Sequence, residues 1–163
     1  MKYFIADLDN CFSDDGWRED LIDRHLEGNA KYARYNEKMY HDPVRHAMIF
    51  HGFAEIARPV FFTGRCEDFK LQTERWIHDK LNHRLAYHML MRGSEDRSRP
   101  VELKLKMLQS FLSSLRPGDE VIAAFDDLPT IIKMYRDNGI AGVLLQINPV
   151  STTVYSPNDL KPL

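Results

Sequence analysis

Residues 1–10 read MKYFIADLDN, and the passage from YFIA (3–6) into DLDN (7–10) decides the fold. Lys2–Ala6 is nearly continuous in apolar residues rather than alternating, the pattern of a strand covered on both faces. Strands of that kind belong to parallel sheets, and in an open parallel sheet ligands bind beyond the carboxyl ends of the strands. Asp7 and Asp9 stand at such an end.

Four more apolar runs continue the pattern: Pro59–Phe62, Ala86–Met91, Glu120–Phe125 and Gly142–Ile147. Helical periodicity separates them. Phe69, Thr73, Trp76, Ile77, Lys80 and Leu81 fall on one face, and Val101, Leu105, Leu108, Leu112 and Leu115 make a second stripe. Leu128, Ile131, Ile132 and Tyr135 make a third, with Pro129 near its start and Gly139 just past its end. Alternating strands and helices imply βαβ units, hence an α/β chain built on a mostly parallel sheet of about five strands. The long insertion, about residues 12–58, reads as a small helical cap after the first strand. It holds a helical pattern at Leu21–Leu26, a break at Gly28, tyrosines at 32, 35 and 40, and Asp42–Pro43 as cap and first residue of a helix through Ala57.

The chain has 163 residues, 44% hydrophobic and 28% charged, which suits one folded domain over residues 1–163 and excludes wholesale disorder. The formal net charge of −2 argues against a broad, sequence-blind grip on nucleic acid. The charge is uneven: residues 65–106 carry 10 basic and 7 acidic side chains, and the segments on either side are net acidic. Two cysteines, Cys11 and Cys66, make neither a disulfide framework nor a four-cysteine zinc site. No stretch approaches the roughly 18 apolar residues of a membrane span, and no signal peptide opens the chain, so a cytoplasmic setting is expected. Nothing in the sequence marks an obligate protein partner.

The chemistry lies after the strands. Asp7 and Asp9 follow the first, Thr63, Gly64 and Arg65 the second, and Asp126 and Asp127 the fourth. Four carboxylates at one sheet edge repel one another unless a cation is present. A hard divalent ion with oxygen ligands, Mg²⁺ above all, resolves that conflict. Lys104 sits within the apolar stripe of its own helix, whereas Lys106 is about 200° further round on the solvent face. A lysine on an inward face beside a carboxylate site is aimed at an anion.

With these residues in order, DLDN (7–10), TGR (63–65), Lys104 and FDD (125–127), the sequence resembles the haloacid dehalogenase superfamily of Mg²⁺-dependent phosphotransferases. Within it the chain looks most like the 3′-phosphatase domain of phage-type polynucleotide kinase/phosphatases. Arg18, eleven residues after Asp7, carries that likeness, together with Arg65, HMLMRGSEDRSRPVELK (88–104) and FDDLPTIIKMYRDNGI (125–140). The resemblance implies a three-layer, Rossmann-like fold and hydrolysis of phosphomonoesters on polynucleotide or nucleotide ends. Asp7 is then the nucleophile and Asp9 the general acid and base, kept protonated near neutral pH by surrounding carboxylates. Thr63 and Lys104 hold the phosphoryl oxygens. Asp7, Asp126, Asp127 and the backbone carbonyl of Asp9 hold Mg²⁺. Arg18 and Arg65 clamp the phosphate, with Gly64, Arg97 and Arg99 lining the substrate path.

The sequence departs from that pattern in places. Asn10 and Cys11 stand where glycine and threonine are usual, and Pro100 replaces an aspartate four residues before Lys104. No G-x-x-x-x-G-K-[ST] occurs, so the kinase half is missing. His41, His46 and His51, five apart, cannot share a helix face for zinc. Cys11 reaches Arg18 with six intervening residues, one too many for a cysteine phosphatase; a redox link between Cys11 and Cys66 is the less ordinary reading beside two buried thiols. Trp17, Tyr32, Tyr35 and Tyr40 offer either base stacking or packing of the cap. A small-molecule or nucleotide monophosphatase of the same superfamily, and a non-catalytic binding module on the same fold, are the alternatives.

Overall fold

Alternation along the first strand sets the layers. In the computed structural model, which describes residues 1–147, Tyr3 and Ile5 of β1 (Lys2–Ala6) point to one face of the sheet and Phe4 and Ala6 to the other. Both faces are covered. Tyr3 and Ile5 join Val60 and Phe62 of β2 (Arg58–Cys66) under α4 (Pro100–Ser114) and α5 (Pro129–Asp137). Phe4 and Ala6 join Phe61 and Phe125 under α2 (Ala47–Ala54) and α3 (Lys70–Asp79).

The five strands run in the order β3-β2-β1-β4-β5 and pair in parallel throughout, with β3 at His88–Arg92, β4 at Glu120–Asp126 and β5 at Gly142–Leu144. The expected α/β architecture of helices on both faces of a parallel sheet is therefore present. The chain leaves β1 to one side through β2 and β3, then returns to the other through β4 and β5. Connections diverge at the carboxyl ends of β1 and β4, which opens the crevice where such sheets bind ligands. Alternation also puts Asp7 on the face of Tyr3 and Ile5, and Asp126 on that of Ala124, both toward α4. Tyr3 pairs with Val121 and Phe4 with Ala123, so Ile122 is the extra residue of a bulge that sets this alignment.

Several boundaries differ from the sequence reading. β2 extends to Cys66, so Thr63, Gly64 and Arg65 lie within the strand rather than after it, although pairing with β3 becomes irregular between Phe62 and Cys66. β3 begins at His88 instead of Ala86, and β5 ends at Leu144 instead of Ile147. The buried stripe of α4 is Leu103, Lys104, Met107, Leu108 and Phe111, while Leu112 is exposed. Spacing of four between 103, 107 and 111 places three large side chains on the core, which outweighs the leucines at 105 and 112.

The cap is less helical than its pattern. The helix expected over Leu21–Leu26 is not formed: a 3-10 turn spans Gly16–Leu21 and ends where that pattern begins, residues 22–27 are irregular, a second 3-10 turn covers Gly28–Tyr32, and α1 is the short helix Ala33–Glu37. Asp42–Pro43 does not open a helix. The Pro43 carbonyl accepts the Asp14 N–H at 2.9 Å and Val44 bridges to Ser13, so this segment runs extended, and α2 begins at Ala47 after a left-handed His46 (φ 52°). Phe12 fastens the start of the cap to the core, edge-on to Phe50 and Phe125 with centroids 5.5 and 5.8 Å apart. No helix among the described residues is long and apolar enough to cross a membrane.

Candidate active site

Asp7 follows directly on β1 and Asp126 closes β4, and the sharp turn after β1 holds the first in place. Leu8 accepts the backbone N–H of Cys11 at 3.1 Å and of Ser13 at 2.8 Å, and Asn10 takes a left-handed conformation (φ 55°) that asparagine tolerates well. Its Nδ2 donates to Asp127 Oδ2 at 3.0 Å, tying the turn to the far side of the crevice. The Asn10 departure thus keeps the turn and gains a contact. Cys11 is buried, and burial, with the Asp7 carboxylate beside it, pushes its thiol well above the ordinary range. It behaves as an apolar filler. Cys66 is a buried thiol as well, donating to Asp68 Oδ2 at 3.2 Å.

Asp7, Asp126 and Asp127 each present a carboxylate oxygen within 4.8 Å of the others, and all three are nearly buried. Among the described residues no histidine or cysteine joins them. Lys104 reaches in from α4, its ammonium donating to Asp7 and to the carbonyl of Phe62 and standing 3.3 Å from Asp126 Oδ2. Burial raises the Asp7 carboxyl well above its ordinary range despite Lys104, with Asp126 and Asp127 adding to the rise. Burial and then the Asp126 charge push Asp127 up to about 7. Burial alone lowers the Lys104 ammonium, but Asp7 and Asp126 outweigh it and keep it charged. One lysine is thus set against three acids. Among the described residues Asp126 Oδ2 is buried and accepts no hydrogen bond, with the Lys104 ammonium 3.3 Å away as its ion-pair partner. A buried carboxylate oxygen without a hydrogen bond, three acids in a compact group and an all-oxygen donor set fit a hard divalent cation such as Mg²⁺.

Asp9 does not join that group. Its carboxylate turns to the cap, where Oδ1 accepts from Arg65 NH2 at 2.6 Å, Arg65 Nε at 2.9 Å and Arg18 NH2 at 3.0 Å. Burial pushes its carboxyl up, but Arg65 and Arg18 prevail and hold it below the ordinary range. The expectation of a protonated Asp9 is therefore corrected: its nearest charges are two guanidiniums, not the other acids. Its carboxylate also lies outside the acid cluster, which leaves only its backbone carbonyl for a metal.

Both arginines share a second acid that sequence reasoning missed as a site residue. Asp42, fully buried, accepts from Arg18 NH2 at 2.6 Å, Arg18 Nε at 2.7 Å and Arg65 NH2 at 3.2 Å, and also from Ser13 Oγ and Trp17 Nε1. Asp9, Asp42, Arg18 and Arg65 form a neutral ionic quartet joining cap and sheet. Two interior arginines in the sequence require two interior acids. That was the available signal; Asp42–Pro43 reads locally as a helix cap and hides it. The acid expected at position 100 is replaced in this sense, since Lys104 rests on Asp7 and Asp126, and the arginines on Asp42.

A cavity of about 500 Å³ opens beside Asp9 between the cap and the β3–α4 loop. Arg65, Gly64 and Arg97 line it; Arg99 does not, and its backbone N–H is taken by Glu102 at the start of α4. Thr63 is buried, its Oγ1 accepting the Arg65 N–H at 3.2 Å. Four cations, Lys31, Arg65, Arg92 and Arg97, face this space against two carboxylates, Asp9 and Asp96. A chain acidic overall thus has a basic pocket beside Asp9, although Asp7, Thr63, Lys104, Asp126 and Asp127 are not among the residues that line it.

Comparison with known proteins gives relatives for part of the chain. An Autographa californica nuclear polyhedrosis virus protein described as a bifunctional polynucleotide kinase/RNA ligase is 33% identical over 78 residues. That match covers 48% of this chain and 11% of the viral protein, so the chain spans about a tenth of that relative's length. A chain in the structure of the Pnkp1/Rnl/Hen1 complex superposes with a TM-score of 0.63 at 20% identity, over 88% of this chain and 45% of that one. One in the Pnkp1/Rnl/Hen1 RNA repair complex gives 0.64 at 19% identity, over 88% and 42%. At such identities the likeness is one of fold. No protein-family profile matches the chain.

Proposed function

We propose that the chain is a Mg²⁺-dependent phosphomonoesterase of the haloacid dehalogenase type, acting on phosphorylated polynucleotide or nucleotide ends, in the first place 3′-phosphates. One observation carries this reading: Asp7, Asp126 and Asp127 meet at the carboxyl ends of β1 and β4, with the Lys104 ammonium on Asp7. A mere binding module has no need of a buried nucleophile so crowded by like charge. The viral relative described as a polynucleotide kinase/RNA ligase, and the RNA repair complexes that share the fold, favour nucleic-acid ends as the substrate class. The basic cavity beside Asp9 agrees with an anionic, nucleotide-sized ligand.

In this reading an Asp7 carboxylate oxygen attacks phosphorus, the bond to the ester oxygen breaks, and a phosphoaspartate forms; water then attacks phosphorus, releasing phosphate and restoring Asp7. Asp7, Asp126, Asp127 and the Asp9 carbonyl would hold Mg²⁺, which screens the anionic nucleophile from the phosphate and polarises its oxygens. Lys104 aligns Asp7 and neutralises charge on the transferred group. Asp9 begins as a carboxylate gripped by Arg18 and Arg65. The arriving phosphate competes for Arg65, the one of the two guanidiniums that lines the cavity, its hold on Asp9 loosens, and the Asp9 carboxyl takes up a proton from solvent that the leaving oxygen then receives. Ionised again, Asp9 draws a proton from the attacking water.

The test is hydrolysis of a 3′-phosphorylated oligonucleotide with Mg²⁺ and with EDTA, by wild type and Asp7→Asn. The chelator and the variant are each expected to lower turnover by about three orders of magnitude or more, with the circular-dichroism spectrum unchanged. Undiminished turnover by Asp7→Asn refutes the mechanism.

A further inference from the structure

One buried polar group beside the acid cluster has no part in the transfer as written. Tyr135 lies on α5, wholly buried, in the core that holds Tyr3, Ile5 and Leu108. Long side chains on a helix lean toward its N-terminus, so Tyr135 extends back along α5 toward the end of β4, where Asp126 stands. Lys104, Asp126 and Asp7 all act on it electrostatically. Burial pushes its phenol well above the ordinary range, with Lys104 opposing and Asp126 and Asp7 adding to the rise, so the hydroxyl keeps its proton. Among the described residues this hydroxyl makes no hydrogen bond. Burying a hydroxyl without a partner is costly, and phenylalanine would fill the same space without that cost.

Asp126 presents the complement. Its Oδ1 accepts the Leu128 N–H at 3.1 Å, whereas Oδ2 has no donor among the described residues and relies on its ion pair with Lys104. Lys104 is the residue that phosphoryl transfer calls away. An anion arriving at its ammonium competes with Asp126 and with the two groups that now take its hydrogens, Asp7 and the Phe62 carbonyl. A carboxylate that is to hold a cation needs its orientation fixed from behind, and a hydrogen bond to the ligating carboxylate does this. A phenol hydroxyl turns about its C–O bond and carries no charge, so it can donate to Oδ2 without cancelling the charge a cation answers.

We propose that Tyr135 is a positioning residue for Asp126: as the Lys104 ammonium turns to the phosphoryl group, the Tyr135 hydroxyl donates to Asp126 Oδ2 in its place. The proposal rests on the phosphatase reading and adds to it a hand-over at one oxygen atom. The unpaired hydroxyl and the unpaired oxygen are the two halves of that bond, kept apart while Lys104 stays on Asp126. A phenol left idle in the resting protein is the counterpart of an Asp126 held firm during transfer.

Tyr135→Phe tests this, since it removes the hydroxyl and keeps the ring in the core. Mg²⁺ is titrated by thermal shift with inorganic phosphate present to draw the Lys104 ammonium, and hydrolysis of a 3′-phosphorylated oligonucleotide is followed separately. The Mg²⁺ midpoint is expected to rise about 10- to 100-fold, and kcat to fall by a similar factor with KM changed by no more than about twofold. The melting temperature of the metal-free variant should equal or exceed that of wild type, because the hydroxyl it loses had no partner there. A merely structural role gives the opposite pattern, a lower metal-free melting temperature with the Mg²⁺ midpoint and kcat unmoved. That pattern, or a Mg²⁺ midpoint equal to that of wild type, overturns the proposal. The two readings fail separately. If wild type hydrolyses no phosphoester but Mg²⁺ binding still weakens in Tyr135→Phe, the positioning role stands and the phosphatase falls. Asp7-dependent hydrolysis, with Tyr135→Phe at the wild-type kcat and Mg²⁺ midpoint, does the reverse.

Discussion

Replacing Asp42 with asparagine removes one negative charge from a closed set of four. Arg18 and Arg65, both almost fully buried, then share Asp9 alone, and the new amide points N–H groups at guanidiniums that have only N–H groups to offer. Removing one partner of a buried ion pair costs about 3–5 kcal/mol, because the other charge stays desolvated. For a chain of this length each kcal/mol moves the melting temperature by about 2–4 °C, so a fall of roughly 6–20 °C is expected. Urea denaturation should show the same loss as a lower midpoint with little change in slope. Asp14→Asn is the control. Asp14 also pairs with an arginine of the cap, Arg45, at 2.9 Å, but that arginine is half exposed, and an exposed pair contributes at most about 1 kcal/mol. A loss below 1 kcal/mol for Asp42→Asn refutes the claim that the quartet fastens the cap.

Two further predictions follow from the same geometry. Asp7 and Asp127 titrate above the unfolded carboxylate value, Asp127 at about 7, so their protonation stabilises the metal-free protein as pH falls from above 7 toward 5, and this gain is lost as pH rises. Mg²⁺ demands the ionised forms, so its stabilising thermal shift should be largest near pH 8, shrink as pH falls through 7, and release protons measurable by calorimetry in two buffers; a shift independent of pH contradicts the site. In the sheet, Gly142→Ala would put Cβ 2.9 Å from the Ile132 carbonyl oxygen and should cost about 1–3 kcal/mol, whereas Gly52→Ala in α2 meets nothing within 4 Å and should stabilise by up to about 1 kcal/mol. Equal effects in urea melts would show that α5 is not packed tightly on β5.

What the sequence made legible was whatever repeats with a short period or is held by local chemistry. Continuous apolar runs revealed strands covered on both faces, and the pleat carried Asp7 and Asp126 to the face where Lys104 lies. Asn10 was readable because a left-handed turn depends on one residue. The cap was not readable in the same way. Its Leu21–Leu26 pattern yields to irregular backbone, and Asp42–Pro43 looks like a helix start although the carboxylate is drawn inward by arginines 24 and 23 positions away. Asp9 shows the same limit. The neighbours that fix its charge, Arg18 and Arg65, are distant in sequence, so counting adjacent acids gave the wrong direction. Pairings between remote segments decide these features, and periodicity carries no trace of them.

The fastening of residue 42 also bears on how a molecule arrives. Besides its carboxylate, the Asp42 carbonyl accepts the Trp76 indole N–H at 2.9 Å, and neighbouring Met39 is wholly buried against Arg65 and Thr73. The cap is therefore rooted in the same interior as α3, and moving it aside means breaking buried hydrogen bonds and ion pairs. Whatever enters the cavity beside Asp9 therefore meets walls held from the interior, the turn at Gly28 on one side and the loop at Arg97 on the other.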